Sequence, residues 1–230
     1  MRNSLIEKIY TKKSINRIKR KVDLLGIYNK INPIEFMNIR LIISIVIFFL
    51  TLYLSNYGYI YAPILTVLFY IFFEYFILDY RIKKRGSKLD YEALFFFEVL
   101  TLSLEAGRDL KGALELTCKN IDSEISDEFS ETLRETEFGK TLNEALNAMK
   151  KRMPSDTINN VILNITQSNM FGNSIIDTLY RQVDFLRDKK VLEVKSVIAK
   201  MPIKISVTSV LFFVPIIILL ILTPVILNMM

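Results

Sequence analysis

Apolar and polar positions are segregated along this chain rather than mixed. From Leu41 to Leu78 the only Asp, Glu, Lys or Arg is Glu74, and from Ile205 to Leu227 there is none. A helix crosses a bilayer with about 20 apolar residues. The later tract fits one crossing, whereas the earlier one is long enough for two. Ser55-Asn56-Tyr57-Gly58 interrupts it, and Pro63 follows where the first turn of a new helix tolerates a missing N–H. The pattern predicts helices over roughly Leu41–Asn56 and Tyr61–Leu78, joined by a tight turn, and a third crossing near the C-terminal end. Between these tracts, residues 88–201 place apolar side chains three and four apart, as at Ile158, Val161, Ile162 and Ile165, then Ile176, Leu179, Val183 and Leu186. That is helical spacing, without strand-like alternation.

An internal repeat punctuates the helical segment. Gly107-x-x-Leu110-x-x-Ala113-Leu114 recurs as Gly139-x-x-Leu142-x-x-Ala145-Leu146 and as Gly172-x-x-Ile175-x-x-Thr178-Leu179. Each Gly suits the left-handed residue that ends a helix. Two positions later Asp109, Thr141 or Ser174 offers an N-cap oxygen to the next helix. Thr141 with Glu144 fits a capping box, and Ser174 with Asp177 a weaker one. The repeat predicts six helices, at 88–106, 110–120, 123–137, 142–152, 156–170 and 174–201, packed as an antiparallel bundle. Pro154 separates the fourth from the fifth. The last runs through Pro202 and Lys204 directly into the third crossing.

Charge orients this arrangement. Residues 1–40 hold ten Lys or Arg against three acids, and Arg81, Lys83, Lys84, Arg85 and Lys88 follow the second crossing. The Ser55–Ala62 turn and the Asn228–Met230 tail have none. By the positive-inside bias the N-terminus and the bundle face the cytosol, and the C-terminus faces outward. The expected fold is therefore an all-α integral membrane protein, with three transmembrane helices and a cytosolic bundle of about six helices. Its parts are a basic N-terminal segment at 1–40, a membrane hairpin at 41–78, the bundle at 79–202 and the final crossing at 203–230. Forty residues, thirteen of them charged, precede the first apolar tract, which reads as an anchor rather than a cleaved signal. In the basic segment Ile15, Ile18, Val22 and Leu25 stand at helical spacing, as in a helix lying on anionic membrane lipid. Glu74 lies near the cytosolic boundary, where water reaches it, and is expected to be structural.

Composition narrows the chemistry. The chain has no His and one Cys, Cys118, which removes imidazole catalysis, internal disulfides and Cys-cluster metal sites. No phosphate-binding loop or dinucleotide fingerprint is present. No nucleophile–base constellation is evident, so an enzyme, a cofactor or a nucleic-acid partner is not expected. Cys118 reads as a small apolar residue in a helix core. Glu124, Glu128, Glu131 and Glu135 fall on one face of the third bundle helix, an acidic stripe that could dock a basic partner. Other functional classes are a transporter subunit, whose crossings offer few polar residues, and a membrane-anchored receptor or scaffold.

Taken in order, several stretches resemble the F-domain family of type II secretion and type IV pilus machinery. They begin with Leu25-Gly26-Ile27, Pro33-Ile34-Glu35-Phe36 and Arg40 before the paired crossings. Leu102-x-x-Glu105-Ala106-Gly107 and the glycine repeats come next, followed by Gln167-x4-Gly172 and Leu179-x-x-Gln182-x4-Arg187. Ala199-Lys200-Met201-Pro202-Ile203-Lys204 before an apolar helix is the most specific. The likeness is nearest to platform proteins B and C of the tight-adherence (Tad) pilus. It implies a non-enzymatic inner-membrane platform that couples a cytosolic secretion or pilus-assembly ATPase to pilin extraction and filament assembly. Its implied partners are that ATPase, pilin subunits, and a paralogous platform protein or a second copy of itself.

Overall fold

A computed structural model describes residues 10–54, 58–171 and 174–227, with side chains to residue 221. Every regular element among them is a helix: α1 (Lys12–Asp23), α2 (Pro33–Leu54), α3 (Gly58–Glu74), a π-helical turn (Tyr75–Asp79), α4 (Tyr80–Glu105), α5 (Leu110–Asn120), α6 (Glu124–Glu137), α7 (Leu142–Lys150), α8 (Asp156–Phe171) and α9 (Ile175–Leu227). Three stretches are long and apolar enough to cross a membrane, Pro33–Leu54, Tyr59–Glu105 and Ile175–Ile221. The chain divides into two units, Met1–Gln182 and Val183–Met230.

In the first unit α2 packs along α3, while α4 to α8 form the bundle, each helix against the next and α4 also against α6 and α8. Its centre is aromatic. Phe96 and Phe97 of α4 are fully buried, and Phe96 stacks on Phe129 of α6 with ring centroids 4.7 Å apart. Leu89, Ala93 and Leu100 continue the α4 stripe, and Ile125, Leu146, Met149, Ile158 and Ile162 close around it. Burying each Leu, Ile or Phe of this kind contributes about 1.5–3 kcal/mol relative to exposure. Gly86 lets α4 pass close to the α7–α8 connection, because a Cβ there would stand 3.3 Å from the Pro154 carbonyl oxygen.

The glycine repeat acts through its caps. Gly107 and Gly139 have φ of +85° and +97°, the left-handed conformation that ends α4 and α6. Asp109 accepts a hydrogen bond from the Gly112 N–H, and Thr141 and Glu144 form a reciprocal capping box at 3.3 and 3.0 Å. Ser174 accepts from the Asp177 N–H at 3.2 Å. The residues that follow point inward: Ala113, Leu114, Ala145, Leu146, Thr178 and Leu179 are buried, as is Leu110, whereas Leu142 and Ile175 are half-buried. Gly172 and the Ser55-Asn56-Tyr57 turn lie outside the described residues.

Three features differ from the sequence pattern. The second crossing does not end before the bundle, since the chain stays helical from Gly58 to Glu105 through the π turn. Residues 79–88 change in polarity but contain no Pro and no cap geometry, and charge alone does not stop a helix. Pro63 falls inside α3 rather than in its first turn, because the helix begins at Gly58. The third concerns α1, whose apolar face is not offered to lipid. Ile18 and Val22 are buried with Phe36, Met37 and Leu78 at the foot of the hairpin, and Ile15 and Leu25 pack at the edge of that cluster. Protein partners have satisfied the stripe, leaving Lys12, Lys13, Lys19 and Arg20 on the outer face.

From Val183 the second unit is the remainder of α9, helical through Leu227. Its apolar side chains are exposed along the last crossing, the arrangement of a helix solvated by lipid tails. Pro202 and Lys204 are exposed within it.

Candidate functional site

Two charged clusters tie the first unit together. At the foot of the hairpin, Glu74 of α3 accepts from Arg40 of α2 at 2.6 Å and from Lys21 and Arg17 of α1 at 2.8 and 2.9 Å. Lys21 also reaches Asp79 at 2.7 Å, and the Arg40 guanidinium lies 3.8 Å from the centre of the Tyr70 ring. A lone carboxylate at the edge of an apolar tract would be costly, and three cations drawn from two other helices compensate it. Glu74 is therefore the point at which α1, α2 and α3 are joined.

The second cluster centres on Arg85, one turn before Leu89 on the buried face of α4. Its Nε donates to Glu124 and its Nη2 to Glu128, both at 2.6 Å. Its Nη1 donates to the backbone carbonyls of Leu24 and Arg152, at 2.9 and 2.8 Å. Arg152 then donates from Nε to Glu128 at 3.3 Å and from Nη1 to Glu135 at 2.8 Å. Lys88 takes the other oxygen of Glu124, and Lys140 the other oxygen of Glu135. Gly26, with φ of +88°, lets the chain after α1 pass over the guanidinium, since a Cβ there would stand 2.5 Å from Arg85 Nη2. One side chain thus joins the N-terminal segment, α6 and the α7–α8 connection.

The acidic stripe of α6 is consequently not an open surface. Glu128 is fully buried and shared by two arginines, and Glu124 and Glu135 are each held by two cations. Glu131 pairs with Arg134 on its own helix at 2.6 Å. Opposite charges on the facing α4 and α7 ends neutralise the repulsion that an isolated α6 would carry. Burial works to raise the Glu135 pKa, but Lys140 and Arg152 outweigh it and hold the group below its ordinary value. Cys118 is half-buried, and burial pushes its thiol up to about 11. A thiol at that value is almost entirely protonated near neutral pH and unreactive. Among the described residues no group of three or more acidic, Cys or His side chains is placed to hold a metal ion.

The arginines were the residues missed from sequence. Their signal was present: Arg85 sits on the α4 stripe that continues through Leu89, Ala93, Phe96 and Leu100, and Glu128 sits beside Ile125 and Phe129 on the α6 stripe. Opposite charges on two stripes that face one core imply a buried pair.

The profile of the type II secretion system (T2SS) protein F family matches residues 96–224. The chain belongs to the type II secretion F family. No curated protein and no solved structure compared with it matches. The F-family match begins midway along α4 and ends in α9, so it takes in the glycine repeats, Glu124, Glu128 and Arg152, and the last crossing. Arg85, Gly26 and the hairpin foot precede it. F-family proteins are non-catalytic membrane platforms of secretion and pilus systems, and the three apolar helices agree with a multi-pass membrane protein.

Proposed function

We propose that this chain is the inner-membrane platform of a type II secretion or Tad-like type IV pilus system, with the bundle and N-terminus in the cytosol and the C-terminus outside. In this role a cytosolic secretion ATPase acts on the bundle. The displacement passes into the membrane, where pilin subunits are drawn from the bilayer into a filament. A paralogous platform protein or a second copy of this chain completes the assembly, and the outer basic face of α1 lies against anionic lipid.

The observation that carries the reading is α9. It is helical from Ile175 to Leu227, with no loop between Arg187 and the last crossing. A continuous helix transmits axial displacement, whereas a flexible linker absorbs it. Of the acidic stripe, Glu131 keeps 27% of its side chain exposed for a basic partner, and among the described residues it pairs within its own helix, with Arg134. A short Gly-Ser linker inserted after Lys200 is expected to abolish filament assembly or secretion while leaving ATPase binding intact. Unchanged assembly would refute coupling through α9. For topology, a Cys in place of Asn56 in a Cys118→Ala background should label with a membrane-impermeant thiol reagent in intact cells, and a Cys in place of Lys88 should not. The reverse labelling would overturn the orientation.

A further inference from the structure

One groove in the first unit is left unused by the platform reading. It has a volume of about 470 Å³ and lies between the chain after α1, at Leu25 and Tyr28, and the face of α4 that carries Arg81, Lys84 and Lys88. Those three cations are spaced three and four apart, so they share one side of the helix. Glu124 is the acid on its wall, and its two oxygens are already taken by Arg85 at 2.6 Å and Lys88 at 3.0 Å. Arg81 and Lys84 are exposed, and neither makes an ion pair among the described residues. The groove therefore holds two uncompensated cations beside a carboxylate that is already neutralised.

Its depth indicates what such cations would meet. The apolar tract of α3 and the π turn ends at Leu78. At a rise of 1.5 Å per residue, Arg81 stands about 5 Å and Lys84 about 9 Å beyond it. The polar layer of a bilayer is about 5–7 Å deep on each side, and these side chains reach back across it. Tyr28, an exposed amphipathic ring on the opposite wall whose hydroxyl donates to Asp127 of α6, is of the type enriched at that level. Leu25 adds an apolar patch suited to the start of an acyl chain.

We propose that this groove binds the phosphate of an anionic phospholipid headgroup, held by Arg81 and Lys84 and flanked by Tyr28. The site fixes the rotational setting of α4 at the membrane surface, and the lipid becomes a structural ligand of the bundle. The inference rests on α3 crossing the membrane, not on the identity of the secreted cargo or the ATPase.

The test uses the full chain in neutral detergent, titrated with short-chain phosphatidylglycerol and with phosphatidylcholine of the same chain length, bound lipid being counted by native mass spectrometry. The expected result is saturable retention of one phosphatidylglycerol per chain, with phosphatidylcholine displaced by it. Arg81→Gln with Lys84→Gln should weaken binding about thirtyfold, five- to sixfold for each cation near the surface. Lys83→Gln, one position off the shared face, should leave it unchanged. Three outcomes overturn the proposal: full binding by the double variant; an equal loss in Lys83→Gln, which would mean diffuse surface charge; or glycerol 3-phosphate competing as well as the lipid, which would mean a soluble phosphate ligand. None of these bears on filament assembly, so the platform reading fails or stands separately.

Discussion

Arg85→Met should loosen both the bundle and the N-terminal segment. The substitution keeps much of the side-chain volume but removes the donor to two carboxylates and two carbonyls. Glu124 would keep Lys88 at 3.0 Å, while Glu128, fully buried, would keep only Arg152 at 3.3 Å and the Ile27 N–H at 3.4 Å. Removing one partner of a buried ion pair costs about 3–5 kcal/mol, because the charge left behind is uncompensated. For a chain of this size that corresponds to a fall in melting temperature of roughly 6–20 °C. The lone thiol supplies the assay. Cys118 is shielded and protonated in the folded bundle, so a fluorogenic maleimide reports opening as the temperature rises in detergent micelles. Arg85→Met combined with Glu128→Leu leaves Glu124 with Lys88 and Arg152 with Glu135, and should recover much of the loss. Trypsin should cut faster after Lys30 in the single variant than in the parent. An unchanged transition in Arg85→Met, or a double variant as unstable as the two singles summed, would refute the account of Glu128 as a carboxylate dependent on its arginine.

Of two further outcomes, the first uses the same thiol assay and the second follows helical circular dichroism through an acid titration. Gly107→Ala and Gly139→Ala should each cost about 1–2 kcal/mol, since their positive φ disfavours a Cβ although nothing lies within 4 Å of it. Gly26→Ala should cost more than either, because its Cβ would also displace a guanidinium held by four acceptors; equal effects at the three positions would contradict this. Glu135 has a folded-state pKa below its unfolded value of 4.5. Its contribution is therefore complete above about pH 4.5 and lost as pH falls through the lowered folded value. Glu135→Gln should flatten the low-pH limb of the stability profile, and a parallel acid transition in the two proteins would exclude the group.

Helix ends in the bundle were legible because they are written in local chemistry. Gly107, Gly139, Asp109 and Thr141 specify their own backbone conformations, and α5, α6 and α7 begin within a residue of the expected positions. What was not legible depended on distant partners. The apolar stripe of α1 has the same spacing whether it meets lipid or Phe36 and Met37, so periodicity could not choose between them. The α6 carboxylates read as a stripe open to a basic partner because their cations lie far away in sequence, at Arg85, Lys88 and Arg152. The continuity of α3 with α4 was obscured by a change of polarity that resembles a boundary but has no conformational consequence.

The π turn at Tyr75–Asp79 has a bearing on how this chain tolerates insertions. It admits an extra residue between the crossing and the bundle, and each residue turns an α-helix by about 100°. Leu78 faces the α1 cluster while Arg85 meets the Leu24 carbonyl only at that angular phase. Adding or removing one residue between Glu74 and Arg85 would turn Arg85, together with the bundle packed on α4, away from Leu24. A seven-residue insertion would restore the phase to within about 20° but lift the guanidinium about 10 Å along the axis. Neither the angle nor the length of this neck is therefore free to vary.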